Sequence, residues 1–410
     1  MRFRGVSAIT LVTFCGAASA CGDDSGGADT EPLSLTGDGT AGPTTNVSDD
    51  DPSAGPSGPT ATASATGTDD GPSTMTDDTS VDESTGGPPA EPAIDWIGRW
   101  DEPAPGVHRF GWSGAGFVVR FSGTGASVTM DDAAGFFTVV VDGAVQPNLL
   151  TSGGEQTYTL ATGLPDGEHT VQMYRRTEGS FGPTTIVSVD LEGELLAPPP
   201  VDRRMEVIGD SITCGYGNEG VSPCSFSADT ENHYLTYGAI AARTVGAQLH
   251  TVAWSGKGMV YNYGDDMFEP MPEIYDRAVA TDAGSSWDYA WQADVVVINL
   301  GTNDFSTDND PPQNVFVPAY VDFLSHLRDV YPNAYLLAIS PSLFGGEVAL
   351  VDGYLAEAVE QRNAAGDADV GWANINVDWI GSGCDGHPTV ATHEGMAANL
   401  ASELQTRLGW

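Results

Sequence analysis

Five short runs that are apolar almost without a break (residues 205–208, 248–253, 295–300, 335–339 and 370–375) constrain this chain more than anything else in it. Between them lie stretches with apolar residues at helical spacing: 232–245, 315–330, 348–363 and 394–408. In the last of these, Ala397, Leu400, Leu404 and Leu408 share one face. A strand apolar on both sides has to be covered on both sides. Such strands alternating with amphipathic helices therefore predict a parallel sheet between two helical layers, an α/β/α architecture.

The text before it obeys a different period. From Ile94 to about Leu196 the chain has short β-branched and aromatic runs at 117–121, 127–130, 136–141, 158–160, 169–174 and 186–191. Asp142-Gly143 and Asp166-Gly167 are among the turns between them. Strands at this spacing predict an all-β sandwich of the jelly-roll kind over 94–199, whose aromatic residues read as core. Pro198-Pro199-Pro200 can continue neither strand nor helix and marks the boundary, leaving 200–410 for the α/β domain.

Residues 1–21 read as an export leader. Arg2 and Arg4 precede an apolar run from Ile9 to Phe14 and a small-residue end, too short to remain as a membrane helix. Ala18-Ser19-Ala20-Cys21 resembles a bacterial lipobox with Ala18 in place of the usual leucine. The expectation is an exported protein anchored at a bacterial cell surface or outer membrane through Cys21; ordinary cleavage and secretion is the alternative. Residues 22–93 hold 15 acidic residues, no Lys or Arg and almost no large apolar side chain. That composition predicts a disordered, self-repelling spacer.

Charge excludes one class of partner. The chain has 57 acidic and 15 basic residues. Setting aside the spacer's acids and the two leader arginines leaves 42 acidic against 13 basic, so the body is near −29. Nucleic-acid binding needs a basic footprint, and polyanionic substrates are disfavoured as well. Neutral polymers are compatible, and a monomer is expected. Of the cysteines left in the body, Cys214 and Cys224 are close in sequence, while Cys214 and Cys384 both flank the same candidate site; either pair is compatible with an oxidising compartment.

The polar residues that break the apolar runs all fall at strand C-termini, the edge where open α/β sheets keep their sites. Gly209-Asp210-Ser211 ends the first strand and offers a hydroxyl nucleophile. Ser255-Gly256-Lys257-Gly258 follows the second, where glycine lets backbone N–H groups approach a ligand. Gly301-Thr302-Asn303-Asp304 follows the third, adding an amide donor. Gly383-Cys384-Asp385-Gly386-His387-Pro388 precedes the last helix and supplies an imidazole. Nucleophile, base and oxyanion donors are the parts of acyl transfer. The remaining histidines lack the spacing of a zinc site, and His393 is the only rival base. Trp254 and Trp379, near strand ends, and Lys257, the only lysine of the chain, are candidates for substrate contact.

The order Gly-Asp-Ser, Gly, Gly-Thr-Asn-Asp, His-Pro resembles the four blocks of the SGNH (GDSL-like) hydrolases. The preceding sandwich, with Gly-Asp-Ser-Ile-Thr-Cys-Gly-Tyr-Gly, Trp-Ser-Gly-Lys-Gly-Met and Cys-Asp-Gly-His-Pro, is similar more narrowly to carbohydrate esterase family 2, from about residue 94 to the end. The resemblance implies Ser211 as nucleophile and His387 as general base and then acid. The oxyanion hole would comprise the Ser211 N–H, the Gly256 N–H and the Asn303 side chain, with no metal or cofactor. It implies deacetylation of plant polysaccharide of the xylan or mannan type, or of its oligomers. Alternatives are an SGNH esterase on other small esters, or a carbohydrate-binding surface lipoprotein with a vestigial hydrolase domain. The superfamily's aspartate three residues before the histidine is here Cys384. Asp385, two before, is the expected third member of the triad; a backbone carbonyl serves that role in some family members.

Overall fold

A computed structural model describes residues 91–133, 135–342 and 347–410. The leader, Cys21 and the acidic stretch as far as residue 90 lie outside them.

The first region is an antiparallel β-sandwich organised by one long strand, Gly116–Asp132. Its first half pairs with Gly167–Arg175 and Asp95–Ile97, its second half with Glu155–Ala161, and Thr184–Leu195 runs beside it. The sequence predicted two strands here, at 117–121 and 127–130. They are continuous because glycine sits where two backbones touch. A Cβ on Gly123 would stand 2.1 Å from the Glu192 carbonyl oxygen, and one on Gly193 would stand 2.0 Å from that of Ser122. Phe117, Val119, Phe121, Val128 and Met130 from this strand meet Phe110, Phe137, Val139, Val171 and Met173 in the sandwich core.

The second region is a five-stranded parallel sheet in the spatial order Gln248–Ala253, Arg204–Gly209, Val295–Asn299, Tyr335–Ile339, Val370–Ala373. Helices Tyr237–Val245 and Val390–Leu408 cover one face, burying Tyr237, Ala241, Met396 and Leu400. Helices Gln313–Val330 and Glu347–Ala364 cover the other, burying Phe316, Tyr320, Leu324, Val351 and Leu355. The helix expected over 232–245 is split. Asn232 caps a short 3₁₀ turn, His233–Leu235, and Thr236 then caps the α-helix by accepting from the Ala239 N–H. Side-chain oxygens that cap two successive starts compete with one continuous helix.

In this order the chain reverses direction at Arg204–Gly209, whose successors lie on opposite sides of it. The crevice beyond its C-terminal end is the switch point where such sheets bind ligands. The sandwich is wedged against the parallel sheet: Trp112, fully buried, enters the second region's core and donates its indole N–H to the Arg277 carbonyl at 3.1 Å. Among the described residues no helix is long and apolar enough to cross a bilayer.

Candidate active site

Strand Arg204–Gly209 ends in a sharp turn. Asp210 caps the four-residue helix Ser211–Cys214, its Oδ1 accepting from the Ile212 N–H at 3.0 Å. The turn puts Ser211 at the first helical position, where the backbone N–H has no intrahelical partner. Ser211 Oγ lies 2.9 Å from His387 Nε2, across 176 residues of sequence. Both open into a cavity of about 900 Å³ whose lining includes Gly256, Asn303, Tyr216, Tyr263 and Trp379.

Gly256 has φ +79°, left-handed backbone that favours glycine, and its carbonyl accepts from the Tyr263 N–H at 2.8 Å. The loop after it is held by Asp304, which accepts the N–H groups of Met259, Val260 and Tyr261 at 2.8, 2.7 and 2.9 Å. Burial pushes Asp304 up to about 6 against those three bonds. Asn303 Nδ2 donates to the Lys257 carbonyl at 2.8 Å and, more loosely, to Asp210 Oδ2 at 3.3 Å. Burial pushes Asp210 up to about 7.

The His387 loop is stapled from below. Cys384 is disulfide-bonded to Cys224, its N–H donates to the Gly217 carbonyl, and the Asp385 N–H donates to the Cys224 carbonyl. This corrects both pairings considered from sequence. Cys214 is a free, buried thiol because its helix aims it inward, at Glu178, and away from the loop. The imidazole packs on the Tyr216 ring, centroids 4.2 Å apart, and Tyr216 stacks on Phe226 at 3.9 Å. Burial draws the His387 pKa below the ordinary histidine value, opposed by the backbone carbonyls of Cys384 and Asp385 and then by the Asp385 and Glu178 carboxylates. A neutral imidazole 2.9 Å from a serine hydroxyl can take its proton.

Two family models match, "Carbohydrate esterase 2 N-terminal" over residues 96–200 and "GDSL-like Lipase/Acylhydrolase family" over 207–394. A solved family two carbohydrate esterase from Clostridium thermocellum, in complex with cellohexaose, is 38% identical; the match covers 78% of this chain and 100% of that one, with a TM-score of 0.74. This chain belongs to carbohydrate esterase family 2. Among curated relatives, the cellulase/esterase CelE of Acetivibrio thermocellus is 40% identical over 329 residues, 78% of this chain; the match spans 40% of that longer protein. An acetylxylan esterase / glucomannan deacetylase of Cellvibrio japonicus is 26% identical over 78% of this chain and 90% of its own length.

Against this family background three sequence expectations sit differently in space. The Asp385 carboxylate does not bond the imidazole: its Oδ2 accepts from the Tyr216 hydroxyl at 3.1 Å and the Phe226 N–H at 2.9 Å. His387 Nδ1 is buried and meets no acceptor at hydrogen-bonding geometry; the acceptors facing it are the carbonyls of Cys384 and Asp385. Trp379 lines the cavity, but Trp254 packs edge-on against Trp112 where the sandwich meets the sheet. Lys257 turns away as well, its Nζ bonded to the Phe268 and Glu269 carbonyls at 3.1 and 2.6 Å. The rival base His393 is fully buried, accepts from the Tyr237 N–H, and is pulled down to about 3 by burial.

Sequence reading missed Tyr216 and Tyr263. Tyr216 lies five residues after Ser211 in the quoted block, so the signal for it was present. Tyr263, 71% exposed at the cavity wall, follows the glycine block in a loop with no periodicity to place it.

Proposed function

We propose that this chain is an exported serine deacetylase that removes O-acetyl groups from plant polysaccharide of the xylan or mannan type, or from its oligosaccharides. The observation that carries the reading is the 2.9 Å Ser211–His387 contact at the floor of an open cavity walled by aromatic rings. Sugar rings present apolar faces that pack on such side chains. A body carrying about 42 acids against 13 bases suits a neutral polymer better than an anionic one.

In this mechanism His387 Nε2 takes the Ser211 proton as Oγ attacks the acetyl carbonyl. The tetrahedral oxyanion is held by the N–H groups of Ser211 and Gly256 and by the Asn303 amide, which exchanges its long 3.3 Å contact to Asp210 for the new acceptor. Collapse breaks the ester bond, and the imidazolium gives its proton to the departing sugar hydroxyl. Water, deprotonated by His387, then attacks the acetyl-serine; acetate leaves and the proton returns to Ser211. The ring's other nitrogen faces the Cys384 and Asp385 carbonyls. Cys21 is taken as the lipid anchor, residues 22–93 as the spacer, and the protein as a monomer.

The test is acetate release from acetylated xylan and acetylated glucomannan. Ser211→Ala and His387→Ala should each lose several orders of magnitude in kcat while unfolding at the parent temperature, because the pair acts as one unit. More than a few per cent activity in Ser211→Ala removes the serine from its role.

A further inference from the structure

We propose that Glu178, a residue of the β-sandwich, is a positioning residue for the reaction at Ser211, holding the oxyanion segment and the nucleophile helix in register. The inference rests on the esterase reading above. Glu178 is 4% exposed. Its Oε2 accepts the Ser255 N–H at 2.6 Å and is approached by Cys214 Sγ at 3.5 Å. Ser255 immediately precedes Gly256, and Cys214 ends the helix that Ser211 begins. One carboxylate oxygen from the first region therefore touches both segments that carry the chemistry of the second.

The carboxylate is itself immobilised. Oε1 accepts from the Ser180 hydroxyl at 2.7 Å, and the Glu178 N–H donates to Glu231 Oε2 at 3.1 Å. The Glu178 carbonyl accepts from Arg175 Nη2 at 3.0 Å; that arginine is buried and also grips Thr177 O and Thr184 Oγ1. An oxyanion donor works only if its N–H is fixed in advance, and the Gly256 N–H belongs to the peptide plane next to the one Glu178 grips. Displacing such a group by an ångström costs of the order of 10²-fold.

The second observation is electrostatic. The Asp385 carboxylate and, after it, the buried Glu178 carboxylate favour the imidazolium formed during acyl transfer. The groups facing His387 are Glu178, Asp385, Tyr216 and His393; those facing Glu178 are Cys214, Glu231, Arg175, Tyr216 and His387. Losing the Glu178 charge lowers the pKa of His387, so the acid limb of kcat/KM moves to lower pH.

The experiment is steady-state hydrolysis of p-nitrophenyl acetate by the parent, Glu178→Ala and Glu178→Gln, with thermal unfolding in parallel. Glu178→Ala should lose about 10–100-fold in kcat, with KM within about threefold of the parent. Glu178→Gln keeps an oxygen for the Ser255 N–H and an amide for Ser180, so it should regain most of the lost kcat. Its acid limb should still lie below the parent's. A residue that only packs the interface would move neither the limb nor kcat selectively. A folded Glu178→Ala with kcat within about twofold of an active parent overturns this inference alone. If Glu178→Ala does not fold, Glu178→Gln decides, and an unmoved acid limb overturns the inference. A parent inactive on acetyl esters overturns the esterase reading and this inference together.

Discussion

Replacing Asp385 by asparagine separates two ways of orienting a catalytic imidazole. Where a carboxylate holds the histidine directly, the change costs about 10⁴-fold in kcat, because the wrong tautomer is stabilised and the imidazolium loses its partner. Here the Asp385 carboxylate reaches the ring through Tyr216, whose hydroxyl it holds at 3.1 Å and whose ring backs the imidazole at 4.2 Å. Asparagine retains an oxygen able to accept from both Tyr216 and Phe226. Its backbone fits too, since φ is +49° at this position and asparagine tolerates left-handed backbone well. What is lost is one solvent-exposed negative charge near the ring. In a water-like dielectric that is worth about 1 kcal/mol, or roughly fivefold in rate. The expected outcome on p-nitrophenyl acetate is therefore a kcat loss below about tenfold with KM little changed. Asp385→Ala, which frees Tyr216 and the Phe226 N–H, should lose more. A loss of about 10³-fold or greater in an Asp385→Asn variant that unfolds normally would refute this reasoning and restore the carboxylate to the triad.

Two further expectations concern the same loop. Burial lowers the His387 pKa, and the base must be neutral to act, so kcat/KM should stay flat on descending through pH 7 and fall only below the ordinary histidine value of about 6.5; a pH–rate profile with its acid midpoint above 7 would contradict the burial argument. The double variant Cys224→Ser/Cys384→Ser should lose about 2–4 kcal/mol of stability in a denaturant titration, since it opens a link across 160 residues. An unchanged midpoint would show that the bond does not brace the loop.

What was legible in the sequence was whatever a strand or helix imposes by its own period. The five sheet strands lie where the apolar runs lie, because a strand covered on both faces admits a polar side chain only where a buried partner compensates it. Family membership was legible because four blocks, three at strand ends and one on the loop before the last helix, survive as text. The sheet order was not, since each run is equally apolar and order depends on which crossovers pack. The sandwich's long strand was read as two because glycines inside an extended run look like turns. Gly123 and Gly193 instead serve a backbone crossing visible only once their strands are side by side. Cysteine pairing depended on where one short helix aims Cys214, which spacing does not encode. Trp254 and Lys257 sit beside the right glycine, yet a side chain one residue along a turn points elsewhere.

Glu206 raises the question of why the sandwich is there at all. It stands in the middle of Arg204–Gly209, the interior strand that delivers Ser211, and it is fully buried. A lone carboxylate at such a position would be strongly destabilising. It is compensated by Arg99 of the sandwich, Nη2 to Oε2 at 3.1 Å, and by the hydroxyls of Tyr275 and Tyr331. Arg99 is equally buried, lying over the Tyr275 ring at 4.3 Å. Removing one partner of such a pair typically costs about 3–5 kcal/mol, a large part of a domain's stability. A chain cut at the proline boundary would leave Glu206 without its cation inside the nucleophile strand and, on the other side, Arg99 without its anion in the sandwich. It would also expose the surface that Trp112 fills, and truncating a buried tryptophan costs about 3–5 kcal/mol. The two regions differ in sequence period and meet at a proline run, yet their buried charges are shared. The boundary in the text is thus a boundary of secondary structure and not of stability.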